Sequence, residues 1–180
     1  SIQGGNILLE QNEKFKNSRV LLPLIETTHY KCVQLLLIAK ALELRGAKVL
    51  VLICGKTLGA CEVRSKKMEY VKNPCWRCKY NEKNLLPLFF LDVVTLSDYL
   101  AKPEINNLST KTQYKGIPES VINDIDRCVE DSVIRHYYGN VPTDEHVVNQ
   151  MRAKYQHTAN LSWKVAQKIH QEFDPTLVLG

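Results

Sequence analysis

Four cysteines crowd into residues 54 to 78 of this chain, spaced as Cys54-x6-Cys61-x13-Cys75-x2-Cys78. Thiolates are soft donors, so four of them this close in sequence could converge on a tetrahedral zinc or an iron–sulfur cluster. The last pair, in "NPCWRC" (73 to 78), could instead be a redox couple. Each thiol could equally be a small core residue. A thioredoxin-like couple opens a helix directly after a strand. This pair follows Asn73-Pro74 in a segment that reads as a polar loop, which favours the metal clip over the couple. A second polar cluster, "ETTHY" (26 to 30), places a carboxylate, two hydroxyls and an imidazole where a helix starts. Unpaired N–H groups at a helix start suit polar or anionic partners.

Other apparent motifs fail. "GKT" (55 to 57) is not a phosphate-binding loop, because the glycine that loop requires five residues earlier is Leu50. His146 follows two acids but has no second histidine at ligand spacing. His136, His157 and His170 fall on helical segments and read as solvated or capping side chains.

The elements that must position these residues read as an α/β fold. "SRVLLPLI" (18 to 25) is an apolar strand, and the segment after it carries Val33, Leu36, Leu37, Ala41 and Leu44 near a helical period. Thr28 is placed to cap this helix and Gly46 to close it. "AKVLVLICG" (47 to 55) is a second, fully buried strand, so the unit is β-α-β with a parallel pair and a right-handed crossover. Beyond it the pattern predicts a helix around "NEKNLLPLFF" broken near Pro87, a strand "DVVTL" (92 to 96) and a surface loop over 101 to 116. A helix then follows from Pro118 to near Gly139, and a long one starts at Thr143 with a bend near "NLS" (160 to 162). "DPTLVLG" closes the chain with another strand.

Composition bounds the function. A 180-residue chain, 44% hydrophobic and 24% charged, builds about one domain. The net charge of +5 is scattered rather than gathered, which disfavours nucleic acid as a partner. Apolar runs are far short of the ~20 residues of a membrane span. Six cysteines without a recognisable export signal point to a reducing cytoplasm.

The order "RVLLPLIETTHYKCVQLLLIAKALELRGAKVLVLICG", then "LGACE", then "CWRC", resembles the amino-terminal domain of glycosyltransferases of the GT-B fold. It is most similar to bacterial surface or capsular polysaccharide biosynthesis proteins. There, a helix ending in "ALxxRG" and a strand ending in Cys precede a Cys with an acid and a Cys-x-x-Cys. The matching residues here are "ALELRG" (41 to 46), Cys54, Cys61-Glu62, Cys75 and Cys78. The resemblance implies a Rossmann-like parallel sheet flanked by helices, with residues 1–17 as an extension and 18–180 as the acceptor-side domain. It implies a fragment, inactive alone, of a longer protein whose carboxyl-terminal Rossmann-like domain binds the nucleotide-sugar donor. It further implies His29 or Glu26 as general base, Thr27, Thr28 and Lys31 as acceptor contacts, a sugar or lipid-linked acceptor, and peripheral membrane contact. The competing expectation is a non-catalytic α/β binding module stabilised by zinc on the four cysteines.

Overall fold

The computed structural model describes residues 15–25, 30–61, 75–106 and 116–180. Its sheet has four strands, β1 (Arg19–Leu24), β2 (Lys48–Ile53), β3 (Asp92–Thr95) and β4 (Leu177–Val178). They pair in the order β3-β2-β1-β4, all parallel. The helices are α1 (Tyr30–Glu43), α2 (Trp76–Asn84), the short α3 (Lys102–Asn106), α4 (Glu119–His136) and the 28-residue α5 (Glu145–Glu172). The α/β class and the parallel β-α-β unit are therefore as the sequence predicts. No helix among the described residues is long and apolar enough to cross a membrane.

The chain forms two compact units. One comprises Ser1–Gly55, Trp76–Asp98 and Lys168–Gly180, and the other Lys56–Cys75 and Tyr99–Gln167. The first holds the sheet. Strand β1 alternates half-buried and buried residues, so Val20, Leu22 and Leu24 all point to one face. Strand β2 is buried at every position after Lys48, as a parallel strand covered on both faces must be. Helix α1 lays Cys32, Leu36 and Ala39 on this core at i, i+4 and i+7. It ends in a Schellman turn: Gly46 takes φ +90° and donates its N–H to Glu43 O (2.9 Å), while Ala47 N–H reaches back to Leu42 O (3.1 Å). Only glycine adopts that backbone without strain.

The second unit is chiefly helical. Val129 and Val133 of α4 meet Val148 and Tyr155 of α5 in one buried seam, with Ile125 and Met151 alongside. Arg152 reaches across from α5 to form an ion pair with Glu130 of α4 (Nη2 to Oε2, 3.0 Å), which holds the Glu130 carboxyl below the usual carboxylate range.

Three expectations change. The segment from Trp76 is helical, and its α-helix stops at Asn84; Pro87 opens a single 3₁₀ turn, Leu86–Phe89. Part of the expected surface loop, Lys102–Asn106, is α3. The long helix also continues without interruption through residues 160 to 162.

Burial on α1 separates structural from surface leucines. Leu36 is fully buried and Leu37 is 57% exposed. Leu36→Ala should lower unfolding free energy by about 2–5 kcal/mol. Leu37→Ala should stay within about 0.5 kcal/mol of the parent. Urea denaturation followed by circular dichroism measures both.

Candidate functional site

In a doubly wound sheet, ligands bind beyond the carboxyl ends of the strands where the strand order reverses. From β1 the chain steps outward to β2 and β3, then returns to the other side of β1 as β4. The reversal therefore lies between β1 and β4. β1 pairs with β4 only through Val20–Leu177 and Leu21–Val178, but with β2 along all six residues.

Pro23 is accommodated on the β4 side. In a parallel strand, alternate residues direct their backbone groups to opposite neighbours. Ser18 accepts from Lys48 on the β2 side, whereas Leu21 accepts from Leu179 on the β4 side. By that parity Pro23, which has no N–H, faces the β4 side, where it has no donor to offer. The proline thus costs no bond with β2. It marks the place where pairing with β4 has already ended.

The carboxyl end of β1 runs through the half-buried Ile25 towards Tyr30, the first residue of α1. The candidate residues Glu26, Thr27, Thr28 and His29 occupy that connection and lie outside the described residues. Lys31 is described, and is exposed on the first turn of α1.

Strand β3 ends in a polar group that sequence reading missed. Thr95 N–H donates to Asp98 Oδ2 (2.7 Å), and the hydroxyls of Thr95 and Ser97 are 2.7 Å apart. The signal was "TLSD" directly after a strand, a serine and an aspartate able to turn the chain on their own side chains. Beside it, β2 leaves the sheet through Gly55 at φ +56°. A Cβ on Gly55 would stand 3.0 Å from Thr95 Cβ and 3.2 Å from its Cγ2, so this exit has no room for a side chain.

The four cysteines divide between the units. Cys54, half-buried, follows β2, and Cys78, half-buried, is the third residue of α2, both in the sheet unit. Cys61 and Cys75 belong to the other. Cys75 immediately precedes α2, so the pair opens a helix rather than lying in a loop. Cys78 instead has an electrostatic neighbour in Cys32, whose thiol is pushed up by burial first and by Cys78 second. Among the described residues, no three His, Cys, Asp or Glu side chains are grouped to hold a metal.

Two of the histidines also differ from expectation. The ring of His157 bonds Ile105 O through Nε2 (3.2 Å), while His136 is half-buried with Nδ1 unpartnered among the described residues. Comparison with known protein families, characterised proteins and solved structures finds no match.

Gly55 gives the test of this edge. Gly55→Ala must adopt left-handed backbone and press on Thr95, and should lose roughly 1–2 kcal/mol or more. Gly59→Ala, where an added Cβ meets nothing within 4 Å, should change stability by less than about 0.5 kcal/mol. Thermal or urea unfolding of the two variants makes the comparison.

Proposed function

We propose that this chain is the acceptor-side domain of a GT-B glycosyltransferase of surface polysaccharide synthesis. The observation that carries the reading is the reversal of strand order at β1 and β4. In such sheets the loop after the strand at the reversal is the one expected to take ligand, and in sequence that loop carries Glu26, Thr27, Thr28 and His29, which lie outside the described residues. The N-terminus of α1 adds backbone donors there, and Lys31 a positive charge.

The chemistry is displacement at an anomeric carbon. His29 or Glu26 takes the proton of an acceptor hydroxyl as its oxygen bonds to that carbon. The bond from the carbon to the nucleoside diphosphate breaks, and its electron pair leaves with the phosphate oxygen. A second Rossmann-like domain holds the donor. A positioned general base contributes about 10²–10⁴ in rate. In the protein carrying both domains, His29→Ala or Glu26→Ala should therefore cut sugar transfer at least about a hundredfold with circular dichroism unchanged. Full turnover in both variants would remove the loop from catalysis.

The solvent side of α1 supports an acceptor presented at a membrane. Val33, Leu37, Ile38 and the adjoining Leu44 are exposed, and Lys31 and Arg45 are exposed with them. Apolar side chains flanked by cations suit an anionic lipid interface. The chain should co-sediment with phosphatidylglycerol vesicles more than with phosphatidylcholine, and the double change Leu37→Asp with Ile38→Asp should abolish the difference. Equal sedimentation of parent and variant would withdraw the membrane contact while leaving the loop's role untouched.

A further inference from the structure

Helix α2 is open to solvent along one whole face, and none of its nine residues is buried. At about 100° per residue, Lys79, Lys83, Trp76, Tyr80, Asn84 and Arg77 follow one another across an arc of roughly 160°. All six are exposed. The half-buried Cys78, Asn81 and Glu82 take up the rest of the circle, so the only acid of the helix is turned away from the exposed face. The turn after the helix anchors it, because Leu86 is buried in the core of the sheet.

Two flat rings lie at the centre of that arc. Trp76 and Tyr80 are neighbours at i and i+4, and are 49% and 62% exposed. The Arg77 guanidinium lies over the Trp76 ring, 5.3 Å from its centroid. The Asn84 amide donates to Tyr80 O (2.7 Å), which ties down the last turn. Cations border the rings on both sides, Lys79 and Lys83 on one and Arg77 on the other. None of these three makes an ion pair among the described residues.

The cations that read as scattered are in fact concentrated once. Residues 63 to 83 hold seven of the 24 Lys and Arg but only two of the 19 Asp and Glu, which leaves seventeen of each sign for the remainder of the chain. The whole net charge of +5 therefore sits in the segment that ends in α2.

This combination selects the partner. Unpaired cations on both flanks, with the acid turned away, call for a polyanion, and exposed rings between them call for one with flat groups to stack. Single-stranded nucleic acid offers both, since every base has a π-face and every nucleotide a phosphate. A duplex hides its base faces, and an acidic peptide brings charge alone. A lipid interface takes helices with aliphatic side chains beside the aromatic ones, and this face has none.

We propose that the exposed face of α2 binds single-stranded nucleic acid, with Trp76 and Tyr80 stacking on unpaired bases and Arg77, Lys79 and Lys83 pairing with the flanking phosphates. The face shares no residue with the loop after β1, so this proposal and the glycosyl-transfer reading stand or fall separately.

The test follows binding of a fluorescein-labelled oligothymidylate by anisotropy over a series of sodium chloride concentrations, with circular dichroism checking that each variant keeps its fold. Saturable binding that quenches tryptophan fluorescence, with the quench lost in Trp76→Phe, supports the site; the other tryptophan, Trp163, is on α5. A base–aromatic stack is worth about fivefold or more in affinity, so Trp76→Ala with Tyr80→Ala should weaken binding about tenfold or more, and Trp76→Phe with Tyr80→Phe should restore most of it. Lys79→Gln with Lys83→Gln should flatten the slope of log K against log salt by about 0.7 for each lysine. Lys102→Gln, exposed on α3, should leave that slope unchanged. No saturable binding, affinity unchanged by loss of both rings, polyglutamate or heparin bound as tightly as the oligonucleotide, or phosphatidylglycerol vesicles quenching Trp76 in its place would overturn the proposal.

Discussion

The sheet depends on β1 being paired along both edges, and on the β4 side that pairing rests on very little ladder. Two residues of β4 are in register with β1, too few to hold a strand by themselves. The chain reinforces them from outside the ladder. Thr176 donates its N–H to Arg19 O (2.8 Å) and accepts from Arg19 N–H at Oγ1 (2.9 Å), and Leu179 N–H reaches Leu21 O (2.9 Å). The Arg19 guanidinium then grips Asp174 twice, through Nε to its carbonyl (2.6 Å) and through Nη2 to its carboxylate (2.5 Å). An exposed ion pair alone contributes little. A planar fork bonding both backbone and side chain of one residue adds geometry as well as energy. Asp174, at φ +45°, is where the chain leaves α5, so the grip sets the direction in which β4 enters the sheet.

From that constraint the open edge follows. With β4 fixed beside the first half of β1, the second half has β2 on one side and no described strand on the other. Pro23 stands at the position where a continued ladder would need a donor. By the rule for such sheets, the loop after β1 is where a ligand would be sought, and its residues 26 to 29 lie outside the described residues.

What could be read from the sequence tracks how each element is stabilised. Strands β1 and β2 and helix α1 were legible because their burial is dense and Gly46 closes the helix with a backbone only glycine takes easily. Helix α2 was legible only in its second half, within "NEKNLLPLFF": none of its residues is buried, so it has no apolar period to read, and Asn73-Pro74 argued for a loop before it. Ala166 on α5 is exposed, while Leu161 and Val165 are buried. Alanine carries too little apolar area for its side to be inferred. The pairing of β4 beside β1 could not be read from the sequence, because a two-residue pairing has no periodicity.

Proximity in sequence does not say which side chains a thiol meets. The segment after β2 sends Cys54 to the sheet unit and Cys61 to the helical one within seven residues, so counting thiols along the chain could not show which side chains each would meet. Cys61 meets His136 and Lys154 at a pocket, and Cys32, outside the four-thiol pattern, meets Cys78. The same holds for His136 and His157, both on helices and indistinguishable by pattern. One has its ring nitrogen bonded to a carbonyl; the other has a buried nitrogen without a partner among the described residues. A buried polar atom left unsatisfied costs about 1–3 kcal/mol. A fold that keeps such an atom at the end of a helix retains that cost.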